Sequence, residues 1–219
     1  MSKKKLKKTY FIDISFSDSI LLKTSVLAVK NNAIVAINGG FFNMKKGGSI
    51  SYFEKNDSVI NYTQYPRAKR EKFDSIINGA LIITKKNKLK IEIAKPEDFY
   101  KKSKKEHTVL LTGPILIKNS KPQSLPNMSF THKRHPRTCI GYSNDSIFFV
   151  TIDGRNKNAA GMNLYEVQSF LKNMGCTNAI NLDGGGSTSL WIKNKGIINT
   201  PSDKNGERPV ANALIIKKK

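Results

Sequence analysis

A strand–helix–strand pattern between residues 146 and 183 constrains this chain more than any other feature. Ser146-Ile-Phe-Phe-Val-Thr-Ile152 is a strongly apolar run, preceded by the turn residues Asn144-Asp145 and followed by Asp153-Gly154-Arg155, and it reads as a buried strand. Leu164, Val167, Phe170, Leu171 and Met174 recur at helical spacing, so Asn163 to Met174 is expected to form an amphipathic helix. Asn163 and Glu166 stand three apart as a capping box, and Gly175 follows the last turn. A second apolar strand, Ala179 to Leu182, comes next. Strand, helix and strand in this order predict a βαβ unit, its strands parallel and joined by a right-handed crossover. The fold class expected is α+β or mixed α/β: a single compact domain with mixed sheets, this unit near residues 146–183, and few helices.

Such a unit has chemical consequences, because ligands of α/β sheets bind at the carboxyl ends of the strands. Asp153 and Asp183 both stand there, with the helix N-terminus beside them. Around Asp183 the sequence reads Asn-Leu-Asp-Gly-Gly-Gly-Ser-Thr-Ser. On a strand Asn181 and Asp183 point to one side, and Ile180 and Leu182 to the other. Gly184, Gly185 and Gly186 lack Cβ atoms, so the backbone can turn tightly and bring its N–H groups against a ligand. Ser187, Thr188 and Ser189 add hydroxyls. An acid, bare backbone and clustered hydroxyls together fit an oxygen-rich, anionic ligand; the plain alternative is a turn with glycines for sterics. No G-x-x-x-x-G-K-[ST] phosphate loop is present, and Leu190 to Ile198 reads as a hairpin rather than a helix.

The same pattern occurs once more. Ala33-Ile-Val-Ala-Ile37 is a buried strand ending in Asn38-Gly39-Gly40-Phe41-Phe42-Asn43, so both strand ends are expected at one cleft. Elsewhere, Tyr10 to Phe16 alternates as a strand, Leu21 to Val29 is helical, and Ile76 to Ile93 is a hairpin turning at Lys85 to Lys88. Pro96 to Lys105 is a charged helical excursion, and Thr108 to Ile117 is an apolar run broken by Gly113-Pro114, a kink or edge position. Tyr52, Tyr62 and Tyr65 are candidates for a pocket rim.

The chain has 219 residues and a formal charge of +22. That excess attracts polyanions and steers anionic substrates; the alternative is solvated lysines on loops. The basic runs lack interleaved aromatics and no nucleic-acid motif appears, so nucleic acid is not the expected partner. No stretch approaches the roughly 18 to 20 apolar residues of a membrane span. The basic start, Met1 to Lys8, lacks the apolar segment of a signal peptide, so the chain as given is expected in the cytoplasm, or secreted if a leader has been removed. The division expected is a basic tail over 1–9, one domain over 10–216 and a basic tail over 217–219. Cys139 and Cys176 are expected as buried free thiols, a single disulfide between them being the alternative.

The polar residues gathered by these strand ends form one chemical set: Asn38, Arg137, Asp153, Arg155, Glu166, Asn181, Asp183, Ser187, Thr188 and Arg208. Arginine forks match phosphate oxygens, and carboxylates activate water or stabilise an oxocarbenium-like transition state. A sugar joined through a phosphodiester needs both. Glu166 fits a capping box as well as a reacting role, and Asp153 could pair with Arg155 across a turn. His107, His132 and His135 show no partner pattern and receive no role.

Ile37-Asn-Gly-Gly-Phe-Phe42, Pro136-Arg-Thr138 with Gly141, Asp153-Gly-Arg155, Gly161 with Glu166, Asn181-Leu-Asp-Gly-Gly-Gly-Ser-Thr188 and Arg208-Pro-Val with Asn212 resemble, in order, the phosphodiester glycosidase family. The resemblance spans roughly residues 33 to 216. It implies a mixed α/β fold and hydrolysis of a sugar-1-phosphodiester between anomeric carbon and phosphate oxygen, with no organic cofactor. By position it implies Asp183, Glu166 and Asp153 as catalytic carboxylates. It places Asn38, Gly39, Gly40, Arg137, Arg155, Asn181, Gly184 to Gly186, Ser187, Thr188 and Arg208 around the substrate. The resemblance implies an N-acetylglucosamine-1-phosphodiester-like substrate, and the high positive charge suits a glycosyl-phosphate polymer in its place. Two other functions remain open at this level: a non-catalytic binder of anionic glycans or nucleotides, and a phosphodiesterase with a metal held by Asp153, Glu166 and Asp183.

Overall fold

The computed structural model describes residues 1–17, 20–64 and 70–219. Tyr65 and part of the basic run after Pro66 lie outside these residues. The described residues form three five-stranded sheets and a set of mostly short helices.

The first sheet has the order β1 (Tyr10–Phe16), β15 (Asn212–Lys218), β2 (Ala33–Asn38), β13 (Leu190–Ile192), β14 (Gly196–Ile197). The second has the order β11 (Ile147–Ile152), β10 (Arg137–Tyr142), β12 (Asn178–Asn181), β8 (Ile115–Lys118), β9 (Lys121–Pro122). The third runs β4 (Ser58–Asn61), β3 (Phe53–Lys55), β7 (Glu106–Thr112), β5 (Gly79–Thr84), β6 (Leu89–Ile93). The helices are α1 (Lys3–Thr9), α2 (Thr24–Lys30), α3 (Arg70–Ile76), α4 (Glu97–Lys102), α5 (Ser129–His132) and α6 (Leu164–Asn173).

Each sheet turns one face to a common core, and one or two helices cover the other. Ile12, Ile37 and Leu214 from the first sheet meet Ile140, Ile180 and Leu182 from the second and Leu81, Ile83 and Leu110 from the third. On the outer faces, Leu27 and Ala28 of α2 pack on Ala36, Ala213 and Ile215. Leu164, Val167 and Leu171 of α6 pack on Cys139, Val150 and Ala179. Ile76 of α3 and Tyr100 of α4 pack on Ala80, Ile82 and Val109. Neighbours along a strand therefore serve opposite cores, which is why β5 and β15 read as unbroken apolar runs.

The expected βαβ unit is present in split form. β11 and β12 each pair antiparallel with β10, so they run in the same direction with β10 between them. Every strand pair among the described residues is antiparallel. Asn163 caps α6 as predicted: its side chain accepts from the Glu166 N–H, and the Glu166 carboxylate accepts from the Asn163 N–H. Gly113-Pro114 marks a change of sheet between two interior strands, β7 and β8, rather than an edge.

Tyr52 is no rim residue, because it is fully buried and donates its hydroxyl to Glu54; Tyr62 stands exposed beside it. Both ends of the chain are built into the fold, with Tyr10 opposite Lys218 in the first sheet and α1 preceding it. Cys139 and Cys176 are free and buried, and burial pushes their thiols up to about 12 and about 11. Among the described residues no helix is long and apolar enough to cross a membrane.

Leu214 has no exposed surface and reaches the common core. Leu214→Ala should lower the unfolding free energy by about 2–5 kcal/mol, whereas Ile198→Ala, at a half-exposed position, should change it by less than about 0.5 kcal/mol. Denaturant midpoints of the two variants check the difference.

Candidate active site

The ends of β2, β10, β12 and β13 are joined by one buried amide. Asn38 donates through Nδ2 to the Asp183 carbonyl at 2.6 Å, and its Oδ1 accepts from Thr138 Oγ1 at 2.7 Å and from the Ser189 N–H at 3.1 Å. The Asp183 N–H donates to the Gly39 carbonyl at 3.0 Å. Gly39 and Gly40 in turn are held by Asn212, whose backbone and side-chain oxygens accept their N–H groups. A Cβ at Gly39 would collide with the Asn212 side chain. The two strand ends do meet at one place, but Asn38, Gly39 and Gly40 act there as wiring beneath the cleft.

The cleft itself has a volume of about 220 Å³ and is lined by Phe130, His135, Arg137, Arg155, Asp183 and Arg208 around the loop Gly184 to Gly186. The glycines have a steric purpose that differs from the one expected. At Gly184 a Cβ would fall 2.7 Å from the Pro136 carbonyl oxygen, so this residue lets the loop lie against the start of β10. Gly185 has φ +60°, and the Arg155 guanidinium lies 3.1 Å from where its Cβ would be. The Arg208 guanidinium occupies the corresponding space over Gly186. The absent side chains thus make room for two arginines. Most of the loop's N–H groups are turned inward: Gly184 donates to Asp183 Oδ1, Gly185 to the Pro136 carbonyl, Ser187 to Gly184 and Thr188 to Gly185.

Each arginine is held differently. Arg137 is 1% exposed, and its guanidinium donates to the carbonyls of Met162, Phe130 and Lys133 while lying over the Phe130 ring. Burial, aided by Arg155, lowers its pKa to about 10, so it stays charged. Arg155 has φ +60°, a conformation costing a non-glycine residue about 1 kcal/mol, and its Nη2 lies 3.2 Å from His135 Nδ1. Arg208 donates through Nε to Asp203 at 2.6 Å.

Asp183 is partly exposed on the cleft floor. Burial raises its pKa to about 6, against the opposing pull of Ser187, the Gly184 N–H and Arg208. Burial first, then Arg137, Arg155 and Lys133, lowers the pKa of His135, whose Nδ1 faces the Arg155 guanidinium.

The other expected residues sit outside the cleft. Asp153 does not pair with Arg155. It accepts from Asn199 Nδ2 at 3.0 Å and from the Thr200 N–H at 2.9 Å, tying down the segment that leads to Arg208. Glu166 completes the capping box and makes a bidentate pair with Arg134. Asn181 is buried and donates to the Gly113 and Leu182 carbonyls. Ser187, Thr188 and Ser189 are buried too, so the hydroxyl cluster faces the interior. No group of three His, Cys, Asp or Glu side chains among the described residues is placed to hold a metal ion.

Two residues went unforeseen. His135 enters the cleft, and its only sequence signal is adjacency to Pro136-Arg137. Asn199 bridges Asp153, the Thr188 carbonyl and the Leu190 N–H, with no signal at all.

The chain has relatives among known proteins. YomE, an uncharacterized SPbeta prophage-derived protein of Bacillus subtilis, is 28% identical over 196 residues, 87% of this chain and 29% of that protein. Mouse N-acetylglucosamine-1-phosphodiester alpha-N-acetylglucosaminidase is 35% identical over 75 residues, 34% of this chain and 14% of the enzyme. The chain thus spans less than a third of either relative's length. The catalytic domain of the zebrafish enzyme, auto-inhibited by its pro-peptide, shares the fold with a TM-score of 0.76 at 21% identity, over 98% of this chain and 74% of that one. The phosphodiester glycosidase family pattern itself matches residues 31–217, from just before β2 to the penultimate residue of β15, and so takes in every strand end that meets at the cleft. The chain belongs to the phosphodiester glycosidase family.

Proposed function

We propose that the cleft hydrolyses a sugar-1-phosphodiester between the anomeric carbon and the phosphate oxygen. The observation that carries this reading is a single carboxyl, Asp183, set on one glycine loop beneath three arginines. Arg137, Arg155 and Arg208 make the cleft strongly cationic, as a phosphodiester anion requires. N-acetylglucosamine-1-phosphodiesters, named for the mouse and zebrafish relatives, are the substrate class this reading takes first.

Cleavage at carbon suits this set. Water attacks the anomeric carbon, the C–O bond breaks, and the phosphate departs as a monoester carrying one more negative charge. Such a leaving group needs no proton from an acid, and fixed cations held in place before the reaction stabilise the charge as it develops. Arg155 and Arg208, braced by His135 and Asp203, supply those cations. Asp183 then works in its ionised form, either activating the water or adding to the sugar carbon directly. Asp153 acts as a positioning residue through Asn199 and Thr200, and Glu166 serves the helix.

Hydrolysis of methyl-phospho-N-acetylglucosamine in oxygen-18 water should put the label in the released sugar. Label in the phosphate would mean P–O cleavage and defeat the reading, and tight binding without any product would point to a non-catalytic binder. Because Asp183 must be ionised, kcat/KM should fall about tenfold per unit as pH drops below about 6.

The same carboxyl links activity to stability. The folded state holds its proton more tightly than the unfolded chain, so its contribution to stability is complete below about pH 3.9 and is lost as pH rises through about 6. Asp183→Asn should therefore abolish turnover and yet raise stability near pH 8 by on the order of 1 kcal/mol, with little change near pH 4. Melting temperatures at the two pH values check the sign.

A further inference from the structure

β15 leads away from the cleft to a second, differently built surface. Its first residue, Asn212, holds Gly39 and Gly40 under the cleft, and its last, Lys218, lies about 20 Å further along the strand at 3.4 Å per residue. Three parts of the chain converge at that far end. Lys217 and Lys218 come from β15, and Lys8 comes from α1, which runs straight into β1. The β5–β6 turn adds Lys85, Lys86 and Lys88. Asn87 pins this turn to β1, accepting from the Ile12 N–H at 3.1 Å and donating to the Tyr10 carbonyl at 2.7 Å. Between the turn and β15 lies a cavity of about 200 Å³, with Phe11, Thr84, Asn87 and His107 in its walls.

Charge at this end is not cancelled locally. The buried Asp13 is answered by Lys55 at 2.9 Å, Lys217 at 3.3 Å and His107 at 3.4 Å, and Asp57 pairs with Lys85 at 2.9 Å. Lys8, Lys86, Lys88 and Lys218 are exposed and form no ion pair with the described residues. One exposed aromatic ring, Phe11, accompanies them, which is too little for the successive stacking that single-stranded nucleic acid uses.

We propose that this lysine-rich end is a second binding surface for the phosphates of a glycosyl-phosphate polymer whose scissile link sits in the Asp183 cleft. The proposal rests on the cleft reading above and names its substrate as a chain long enough to span both places. A single sugar phosphodiester reaches the cleft alone and gains nothing from the surface.

The test combines Lys8→Gln, Lys86→Gln, Lys88→Gln and Lys218→Gln, four exposed changes remote from the cleft. Binding is read by fluorescence anisotropy with an end-labelled poly(N-acetylglucosamine-1-phosphate), and turnover with the same polymer and with the small methyl diester. The variant should raise the polymer Kd and KM about tenfold or more, and reduce the slope of log affinity against log salt by about 3, at about 0.7 per lost contact. Its kcat/KM on the methyl diester should equal that of the wild type. An unchanged polymer affinity and salt slope would overturn the proposal, as would single-stranded DNA binding this surface more tightly than the polymer. Failure of the wild type to cleave the methyl diester would instead overturn the cleft reading, since the anisotropy needs no turnover.

Discussion

The Asn38 side chain is the interaction on which the rest of the site depends. A buried amide must satisfy its donors and acceptor inside the protein, because each one left unpaired costs about 1–3 kcal/mol. Asn38 meets that demand by reaching the Asp183 carbonyl, the Thr138 hydroxyl and the Ser189 N–H at once. Those partners belong to the ends of β12, β10 and β13, so one residue of β2 locks the first sheet to the second. Asp183 leaves this junction in a fixed direction, and the glycine loop starts from it.

Above the junction the site is built by subtraction. Three residues without side chains leave a surface on which two guanidinium groups lie flat, and the third arginine is buried beside them on backbone carbonyls. Like charges are thereby held close together, with Asp203 the carboxylate that meets one of them directly. Without substrate this is an unfavourable concentration of charge. The positive φ of Arg155 belongs with it, whereas the pKa of Asp183 is raised by burial and pulled the other way by Arg208. A cationic cluster of this kind attracts anions.

Legibility along the sequence varied with the distance over which each signal acts. The apolar runs and the capping box are local, and β2, β5, β11, α6 and β12 lie where periodicity placed them. Asp183, Arg137, Arg155 and Arg208, singled out by residue type, line one cleft. The side on which a residue falls was harder. Asn181 was expected beside Asp183 by alternation, but β12 ends at Asn181, and the Asp183 N–H bonds to Gly39 in the other sheet instead. The hydroxyls of Ser187, Thr188 and Ser189 turn inward for the same reason: the chain has left the ladder and follows the junction. Asp153 and Glu166 carry acidic groups suited to catalysis, and what occupies them is Asn199 with Thr200 in one case and Arg134 with the helix N-terminus in the other. Of these partners only the helix cap was readable, from the three-residue spacing of Asn163 and Glu166; Asn199, Thr200 and Arg134 lie too far along the chain for a pattern to reveal.

Neighbouring residues and plain composition carry several of the strands, helix α6, the family motifs, the cationic character and Asp183 as a candidate acid. Tertiary packing set the rest: the glycines accommodate arginines, His135 joins them and Asp153 anchors Asn199 and Thr200 outside the cleft. It alone decided, too, that lysines from residues 8, 85–88 and 217–218 share one end of the molecule. Those outcomes depend on contacts between segments up to two hundred residues apart, where close packing, not local preference, sets which groups can meet.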